Sequence, residues 1–457
     1  MKVKNNKKQL DMLNGSIWNK IPQYAFPVAA TGILEQLFNA SDIAIVGNFT
    51  GAKKTIAVAA VGANSPIIGL IINLFIGIAL GANVVIANAI GQKDKDTIHK
   101  AVHTSITMSI IAGIIVTIIG ELFIDNLLKS LNVPSDVFQY ALLYIRIYLL
   151  GMPAILLYNF ESAIFRSIGD TKVPLKALAL SGIINVLLNL FFVVVLKMTV
   201  NGVAIATVIS NIISSAILFV KLLKIDKSIQ LNIKDLKIYK HSFSKIMKIG
   251  LPAGIQSAVF SIANIVIQSA INSLGTIVIA ASSAAFNIEI FAYYVLNSFS
   301  QACTTFVGQN YGAGNIKRCK KTLIICIIED AIASATTILL VLISGKALLS
   351  IFNNDPQVIK VGYTRLLIIF SAYAFSMLYE NMSGYLRGFG ISFVPAILTI
   401  IGVCVVRIIW IYAVFPTKKT FETIMLAYPL SLSITAILIF IALLLYRPSH
   451  KQIKKLQ

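Results

Sequence analysis

The chain carries the same apolar pattern twice, and this internal repeat constrains its fold more than any other feature. Pro27 lies in an apolar run that holds Asn39 twelve residues later, and Pro252 lies in a run that holds Asn264 at the same distance. A second pair of segments shares an Arg, a Gly and a Pro in register. These segments are Phe165–Pro174 and Leu386–Pro395. The repeat predicts two halves of similar structure.

The composition predicts that both halves lie in a membrane. Hydrophobic residues make up 57% of the 457 residues and charged residues only 12%, with a mean hydropathy of +0.84. A soluble chain carries about twice that charged fraction. About twelve stretches reach the roughly 20 apolar residues that a membrane-spanning helix needs. They are 20–48, 55–86, 96–124, 136–158, 168–195, 201–223, 244–271, 277–307, 317–344, 357–383, 389–415 and 421–446.

These stretches predict an all-α polytopic membrane protein, because backbone that faces lipid must satisfy its own hydrogen bonds. The polar segment near the middle separates six stretches from six, so we expect two six-helix lobes in parallel orientation with a cavity between them, as in many transporters. The predicted divisions are an N-terminal lobe 1–224, a cytoplasmic linker 225–243, a C-terminal lobe 244–446 and a cytoplasmic tail 447–457. The chain holds no inserted catalytic domain and no nucleophile–base set, so no enzyme is predicted.

The net charge of +21 is interpreted as a topology signal. Lys and Arg concentrate in the two tails and in the loops after every second helix, which predicts that both termini lie in the cytoplasm. The surplus basic residues would contact anionic lipids, and a nucleic-acid partner is not expected. We expect a monomer in the bacterial plasma (inner) membrane.

No metal or cofactor site is predicted. The four Cys residues form no metal-binding or disulfide pattern. His99 and His103 are four residues apart, as metal ligands on a helix can be, but no third ligand lies near them in the sequence.

Acidic residues inside predicted helices are the first candidates for function, because charge within a bilayer is costly. Glu35, Asn39 and Asp42 lie on one face of the first predicted helix. We expect this face to line the lobe interior or the cavity. The alternative is that these groups only hold neighbouring helices together.

A set of oxygen-bearing side chains could join Asp42. Asn185 and Asn189 lie four residues apart on the fifth predicted helix, and Thr207 lies on the sixth. A carboxylate, two amides and a hydroxyl suit a proton or a hard monovalent cation, since a carboxyl group in an apolar setting can exchange a proton near neutral pH. Hydrogen bonds that only join helices are the alternative.

Glu289 is the leading acidic candidate in the second half. Tyr293 follows it by one helical turn, and Gln301 lies on nearly the same face. A carboxylate beside an aromatic ring suits a lipophilic cation. The alternative is a Glu that is protonated or paired with Lys or Arg. Glu380 and the Glu329-Asp330 pair remain without an assigned role.

Pro27 and Pro252 are candidate hinges. A proline inside a helix removes one backbone hydrogen bond and bends the helix. A static kink is the alternative to a moving hinge at either position.

The chain resembles the multidrug and toxic compound extrusion (MATE) family. The segments that carry the resemblance are Asn39–Gly47, Gly81–Asn83, Leu150–Pro153, Phe165–Pro174, Gly202–Ser210, Lys248–Pro252, Gly308–Gly314 and Leu386–Gly388. The resemblance implies efflux of organic cations in exchange for H⁺ or Na⁺. It places the coupling ion at Asp42, Asn185, Asn189 and Thr207. Some members have Asp where this chain has Asn189, which leaves the choice of ion open.

The function expected from these observations is a secondary antiporter. Cation coupling is assigned to the first repeat, because the Asp42 set has no evident counterpart in the second. Substrate binding is assigned to six residues between the lobes: Glu289, Tyr293, Gln301, Glu35, Asn39 and Asn264. A lipid-linked oligosaccharide flippase, or an exporter of one narrow endogenous substrate, is the alternative.

Overall fold

The fold is helical throughout the part of the chain that the structure describes. A computed structural model describes residues 10–131, 133–225, 228–446 and 448, and no β-strand occurs within them. The predicted all-α fold is therefore confirmed. The predicted tail 447–457 lies outside the described residues except for Pro448.

The described residues of the first repeat form seven α-helices. They are α1 (Lys20–Phe49), α2 (Lys54–Gln92), α3 (Lys95–Ser130), α4 (Ser135–Leu150), α5 (Met152–Ser167), α6 (Lys172–Leu190) and α7 (Val200–Lys224). A short 3₁₀ turn, Gly51–Lys53, precedes α2, and a second, Ile233–Asp235, lies in the segment after α7.

In the second repeat, nine α-helices lie within the described ranges. They are α8 (Lys240–Asn272), α9 (Thr276–Gly312), α10 (Ile316–Ser350), α11 (Pro356–Ser371), α12 (Tyr373–Gly388), α13 (Phe393–Thr399), α14 (Val406–Ala413), α15 (Phe421–Met425) and α16 (Ala427–Tyr446). A 3₁₀ turn, Phe415–Thr417, follows α14.

Within the part of the chain that the structure describes, up to eleven candidate spans and the long helix α1 together give twelve. Nine segments among the described residues are long and apolar enough to cross a membrane, and two bent helix pairs bring the number to eleven. Helix α1 has 30 residues and is the twelfth. Its polar side chains, Glu35 and Asp42 among them, lower its hydropathy.

Both repeats break their helices at corresponding places. The fourth span bends by 51° between α4 and α5, and the tenth bends by 48° between α11 and α12. A π-helical turn follows α6 at Phe191–Val195, and another follows α13 at Ile400–Val405. Such turns insert a residue into the helix and are frequent at functional sites. The repeat in the sequence therefore extends to the irregularities of the backbone.

The helices pack into two compact units whose boundaries differ from the ends of the repeats. The first unit contains Ala30–Ile86 and Asp94–Met247. The second contains Leu10–Ala29, Ala87–Lys93 and the described residues from Lys248 onward. The division of α1 falls just after Pro27. This division follows packing, whereas the predicted lobe boundaries follow the repeat and stay a prediction.

Each unit has an apolar interior of its own. In the first, Ile145, Met152 and Val203 are among the fully buried side chains. Glycine permits close packing there, because a Cβ at Gly182 would overlap the ring of Phe38. The second unit buries a separate cluster around α9, α11 and α15. These interiors hold the polar groups of the candidate sites in fixed positions.

Candidate functional site

Four polar side chains of the first unit form one hydrogen-bonded cluster. Asn189 donates to Oδ1 of Asp42, and the Thr207 hydroxyl donates to its Oδ2 at 3.0 Å. Asn189 also donates to Oδ1 of Asn185 at 3.0 Å, and Asn185 donates to the Thr207 hydroxyl at 3.4 Å. The structure thus brings together all four residues predicted for cation coupling. We call them the Asp42 cluster.

The cluster is buried and has no positive partner. Asp42 is 5% exposed and Asn189 is fully buried. Among the described residues, Asp42 forms no ion pair with Lys, Arg or His. No described residue donates a hydrogen bond to the buried Oδ1 atom of Asn189. Binding of a proton or a small cation would relieve the cost of burying this carboxylate beside an unpaired amide oxygen.

Local sequence explains how three helices place these groups together. Asn185 and Asn189 are one helical turn apart on α6, so both amides leave the same face. Small residues of α7 are buried, among them Gly202, whose Cβ would lie against Phe192 in the π-helical turn after α6. Their size lets the two helices approach closely, which brings Thr207 within reach of the α6 amides.

The other two polar residues of the α1 face do not join the cluster. Glu35 is half-buried and interacts electrostatically with Arg166. Asn39 has an exposed side chain. Glu35 and Asp42 are seven residues apart on α1, so they share a face of the helix, but they contact different neighbours. The predicted substrate-binding role of Glu35 and Asn39 stays a prediction.

Glu289 of the second unit is paired with an arginine. Arg365 Nη2 lies 2.9 Å from Glu289 Oε2, and Nε donates to the same oxygen at 3.3 Å. The side chains are 4% exposed for Arg365 and 13% for Glu289. Arg365 Nη1 also donates to the Ser282 hydroxyl at 2.7 Å. The structure therefore supports the alternative in which an arginine neutralises Glu289.

A row of polar groups continues along α9 beyond this ion pair. Asn297 contacts the Tyr293 hydroxyl at 3.5 Å, and Gln301 donates to Asn297 at 2.7 Å. All three are half-buried. Asn264 on α8 is also half-buried. Tyr293 and Gln301 are thus connected through a residue that the sequence analysis did not select.

The Glu329-Asp330 pair, to which the sequence assigned no role, is part of an acidic cluster on α10 and α12. Asp330 is fully buried and accepts hydrogen bonds from Ser334 at 2.8 Å and from Asn381 at 2.6 Å. The adjacent Glu329 has two buried oxygens without a donor among the described residues. The Asp330 group resembles the Asp42 cluster in chemistry but lies on α10 and α12, so the expectation that the Asp42 set has no counterpart at matching positions of the repeat stays a prediction. The signal in the sequence was the four-residue spacing of Asp330 and Ser334.

Sequence reasoning missed Glu161. The fourth span was predicted to end at residue 158, whereas α5 continues to Ser167 and buries Glu161 completely. Its Oε2 accepts a hydrogen bond from Ser215 at 3.1 Å. Glu380 on α12 is buried as well, and it interacts electrostatically with Arg387. Glu161 and Glu380 are therefore buried acids in described spans that belong to none of the predicted sites.

Twelve helical spans in two repeats, with buried acid–amide clusters in each compact unit, define a membrane transporter of the two-repeat type. The comparisons with known proteins identify its family. The sequence profile of the MatE family matches residues 27–191 and again residues 252–413. The chain belongs to the MATE family, and each match begins at one of the two repeated prolines. It is therefore a transporter embedded in a membrane and not an enzyme.

Individual relatives are similar along most of the chain. A Bacillus subtilis protein named "Probable multidrug resistance protein YoeA" is 25% identical over 93% of each chain. A Thermotoga maritima protein named "Probable multidrug resistance protein NorM" is 26% identical over 86% of this chain and 84% of its own. A solved structure of a multidrug resistance MATE family transporter of the MOP superfamily, in an outward-facing conformation, has a TM-score of 0.88 with 23% identity over 98% of each chain. That structure has the same fold.

Proposed function

We propose that this protein is a multidrug efflux antiporter that exports lipophilic organic cations in exchange for H⁺ or Na⁺. Relatives named for multidrug resistance or multidrug export support the efflux of drugs. The Asp42 cluster is the observation that carries the exchange. Asp42 is a buried carboxylate whose partners among the described residues are neutral, so an exchangeable cation must compensate its charge.

The coupling ion acts by neutralising Asp42. Protonation removes the charge and makes the carboxyl group a hydrogen-bond donor, which the unpaired Oδ1 of Asn189 can accept after a side-chain rotation. Na⁺ would instead be held by oxygens of Asp42, Asn185, Asn189 and Thr207, the hard ligands that such ions prefer. Either ion stabilises the packing of α1 against α6 and α7, whereas the empty site leaves a buried charge.

Pro27 provides the route by which this local change affects α1. The proline lies inside the helix, where it removes a backbone hydrogen bond. The two compact units divide α1 two residues later, between Ala29 and Ala30. A bend at Pro27 would change the direction of the segment that carries Asp42. Pro252 lies inside α8 and is proposed as the corresponding hinge of the second repeat.

Substrate recognition in the second unit is proposed for Tyr293 and Gln301 rather than for the free charge of Glu289. The tyrosine ring offers a π face to a cation and the amide offers an oxygen. Glu289 would bind a cationic substrate only after its ion pair with Arg365 has broken. We propose that Glu35, Asn39 and Asn264 line the substrate path.

The pairing of Glu289 also supports a second candidate, the export of one narrow endogenous substrate. Arg407 is buried, donates to Ser431 at 2.9 Å and lies 4.1 Å from the ring centre of Tyr428, but no carboxylate pairs with it among the described residues. A Shewanella oneidensis relative, 23% identical over 71% of this chain, is named "FAD transporter". These observations favour a substrate that carries negative charge. A lipid-linked oligosaccharide would be another such substrate.

The proposed location is the plasma (inner) membrane of a bacterium, as a monomer, with both termini in the cytoplasm. The uneven distribution of Lys and Arg supports this orientation. Anionic lipids would contact the basic loops.

Transport by the purified protein in liposomes tests the proposal. One H⁺ exchanged for one monovalent cation moves no net charge, so each pH unit supplies about 1.36 kcal/mol and about tenfold accumulation of ethidium. A tenfold Na⁺ gradient supplies the same amount. We expect the wild type to accumulate ethidium under one of the two gradients, with the membrane potential held at zero.

The variant Asp42→Asn should bind ethidium but lose accumulation, because an amide can neither take up a proton nor supply a charge for Na⁺. Asp330→Asn is the matched comparison, since Asp330 is also buried and also accepts from an amide and a hydroxyl. Equal accumulation by Asp42→Asn and the wild type under both gradients would contradict the assignment to Asp42. Transport of flavin nucleotides without ethidium would favour the second candidate.

A further inference from the structure

Two histidines near the start of α3 present their rings side by side. His99 and His103 lie one helical turn apart, and their ring centres are 4.0 Å apart. Two imidazoles at this spacing are a common pair of metal ligands, but a pair alone does not make a site.

The structure supplies a third donor from a distant part of the chain. Asp235 belongs to the 3₁₀ turn Ile233–Asp235 in the segment between α7 and α8. Its Oδ2 lies 3.5 Å from Nε2 of His99, and the donor atoms of His99, His103 and Asp235 all lie within 4.8 Å of one another. Ligands at bond lengths of about 2.1 Å around a tetrahedral ion lie roughly 3.4 Å apart. His99 and Asp235 already have this spacing.

The hydrogen bonds of His103 fix the tautomer and the orientation of its ring as a metal ligand requires. The backbone N–H of Asn232 donates to Nε2 at 3.0 Å, so the ring proton is on Nδ1, which donates to the His99 carbonyl at 2.7 Å. A metal-ligating histidine characteristically donates its second nitrogen to a carbonyl in this way. The Nε2 lone pair therefore points toward the segment that carries Asp235. A metal would replace the Asn232 N–H as its partner.

The surroundings allow an ion to enter and to complete its coordination. A cavity of about 590 Å³ is lined by His99, Asp235 and Asn232, among others. It can hold the water that fills the fourth position and the water that satisfies the released Asn232 N–H. The other donor atoms lie within 4.8 Å of one another and would have to approach to about 3.4 Å. Rotation of the half-exposed side chains of His99 and Asp235 allows this approach.

We propose that His99, His103 and Asp235 bind a divalent transition-metal ion of the zinc class. Two imidazoles, one carboxylate and one water form an open tetrahedral set that Zn²⁺ favours and that Co²⁺ can occupy. Among the described residues, this is the one group of three such ligands. An occupied site would fasten the segment between the two repeats to the start of α3. This inference does not depend on the transported substrate.

Metal binding by the full-length protein tests the site. The protein is purified in detergent through a tag without histidine, stripped with EDTA and equilibrated with Zn²⁺, and bound zinc is counted by mass spectrometry. We expect one equivalent per chain, a visible Co²⁺ absorption band of tetrahedral type, and a higher unfolding temperature with Zn²⁺ than without it. Less than one equivalent of zinc bound at micromolar concentration would overturn the proposal.

Two substitutions identify the ligands. His99→Gln and Asp235→Asn should each weaken Zn²⁺ at least about tenfold and abolish the Co²⁺ band, since even partners outside the ligand set typically change affinity about 10- to 100-fold. His241→Gln and Asp136→Asn repeat the same changes at exposed positions outside the group and should bind zinc as the wild type does. Equal binding by all five proteins would show adventitious metal and overturn the site. Neither His99 nor Asp235 belongs to the transport sites, so ethidium accumulation reports whether the variants remain folded.

Discussion

The buried ion pair between Glu289 and Arg365 allows a structural role to be separated from substrate recognition. Two nitrogens of Arg365 contact the same carboxylate oxygen at 2.9 and 3.3 Å, and neither side chain is more than 13% exposed. Such a pair contributes little relative to an apolar replacement, but breaking it is costly, because the remaining charge stays buried.

The variant Glu289→Gln should therefore destabilise the protein by roughly 3–5 kcal/mol. Arg365 retains Ser282 as its hydrogen-bond partner, but the hydroxyl carries no charge. Arg365→Gln should have a loss of similar size. The double variant places two neutral amides together and should recover roughly 2–3 kcal/mol of the summed losses.

The assay is unfolding of the four proteins by SDS titration in mixed micelles, with ethidium binding measured on the same samples. Glu161→Gln is the matched control, because Glu161 is fully buried and, in the part of the chain that the structure describes, has only the Ser215 hydroxyl as a hydrogen-bond partner. Its amide oxygen can still accept that hydrogen bond, so a change below about 1 kcal/mol is expected. If Glu289→Gln is as stable as Glu161→Gln and has lost ethidium binding, the ion-pair reasoning is refuted and Glu289 recognises the substrate.

Two further predictions concern packing and the N-terminal segment. Gly182→Ala should destabilise the first unit by about 1–3 kcal/mol, because its Cβ would enter an aromatic ring of α1. Gly62→Ala, where nothing lies within 4 Å, should stabilise it by up to about 1 kcal/mol, and the same SDS titration compares them. Arg318→Ala should speed amide hydrogen exchange in residues 10–17, since its guanidinium donates to three carbonyls there at 2.9 to 3.2 Å. Lys317→Ala is the control, and equal exchange in both variants would show that the segment does not depend on these bonds.

Helical periodicity explains why the Asp42 cluster could be anticipated. Asn185 and Asn189 must share a face of any α-helix, and the repeat together with the family resemblance indicated which helices carry the partners. The same argument failed for Glu35 and Asn39. Periodicity gives the face of a helix, whereas the neighbours of each residue along that face depend on where the next helix crosses.

The sequence by itself determined the helical fold and the repeat, because these follow from apolar run lengths and recurring spacings. It also indicated the family through motifs in a fixed order, and the family resemblance named the residues on other helices that meet Asp42. Only the tertiary structure decided the pairing of Glu289 with Arg365, the partners of Asp330, and the meeting of His99 with Asp235. Apart from the hydrogen bond from Ser334 to Asp330, which lies within α10, each of these contacts joins different helices or turns. Their formation depends on how helices cross and on where a linker turn rests, and neither property is encoded in a local spacing.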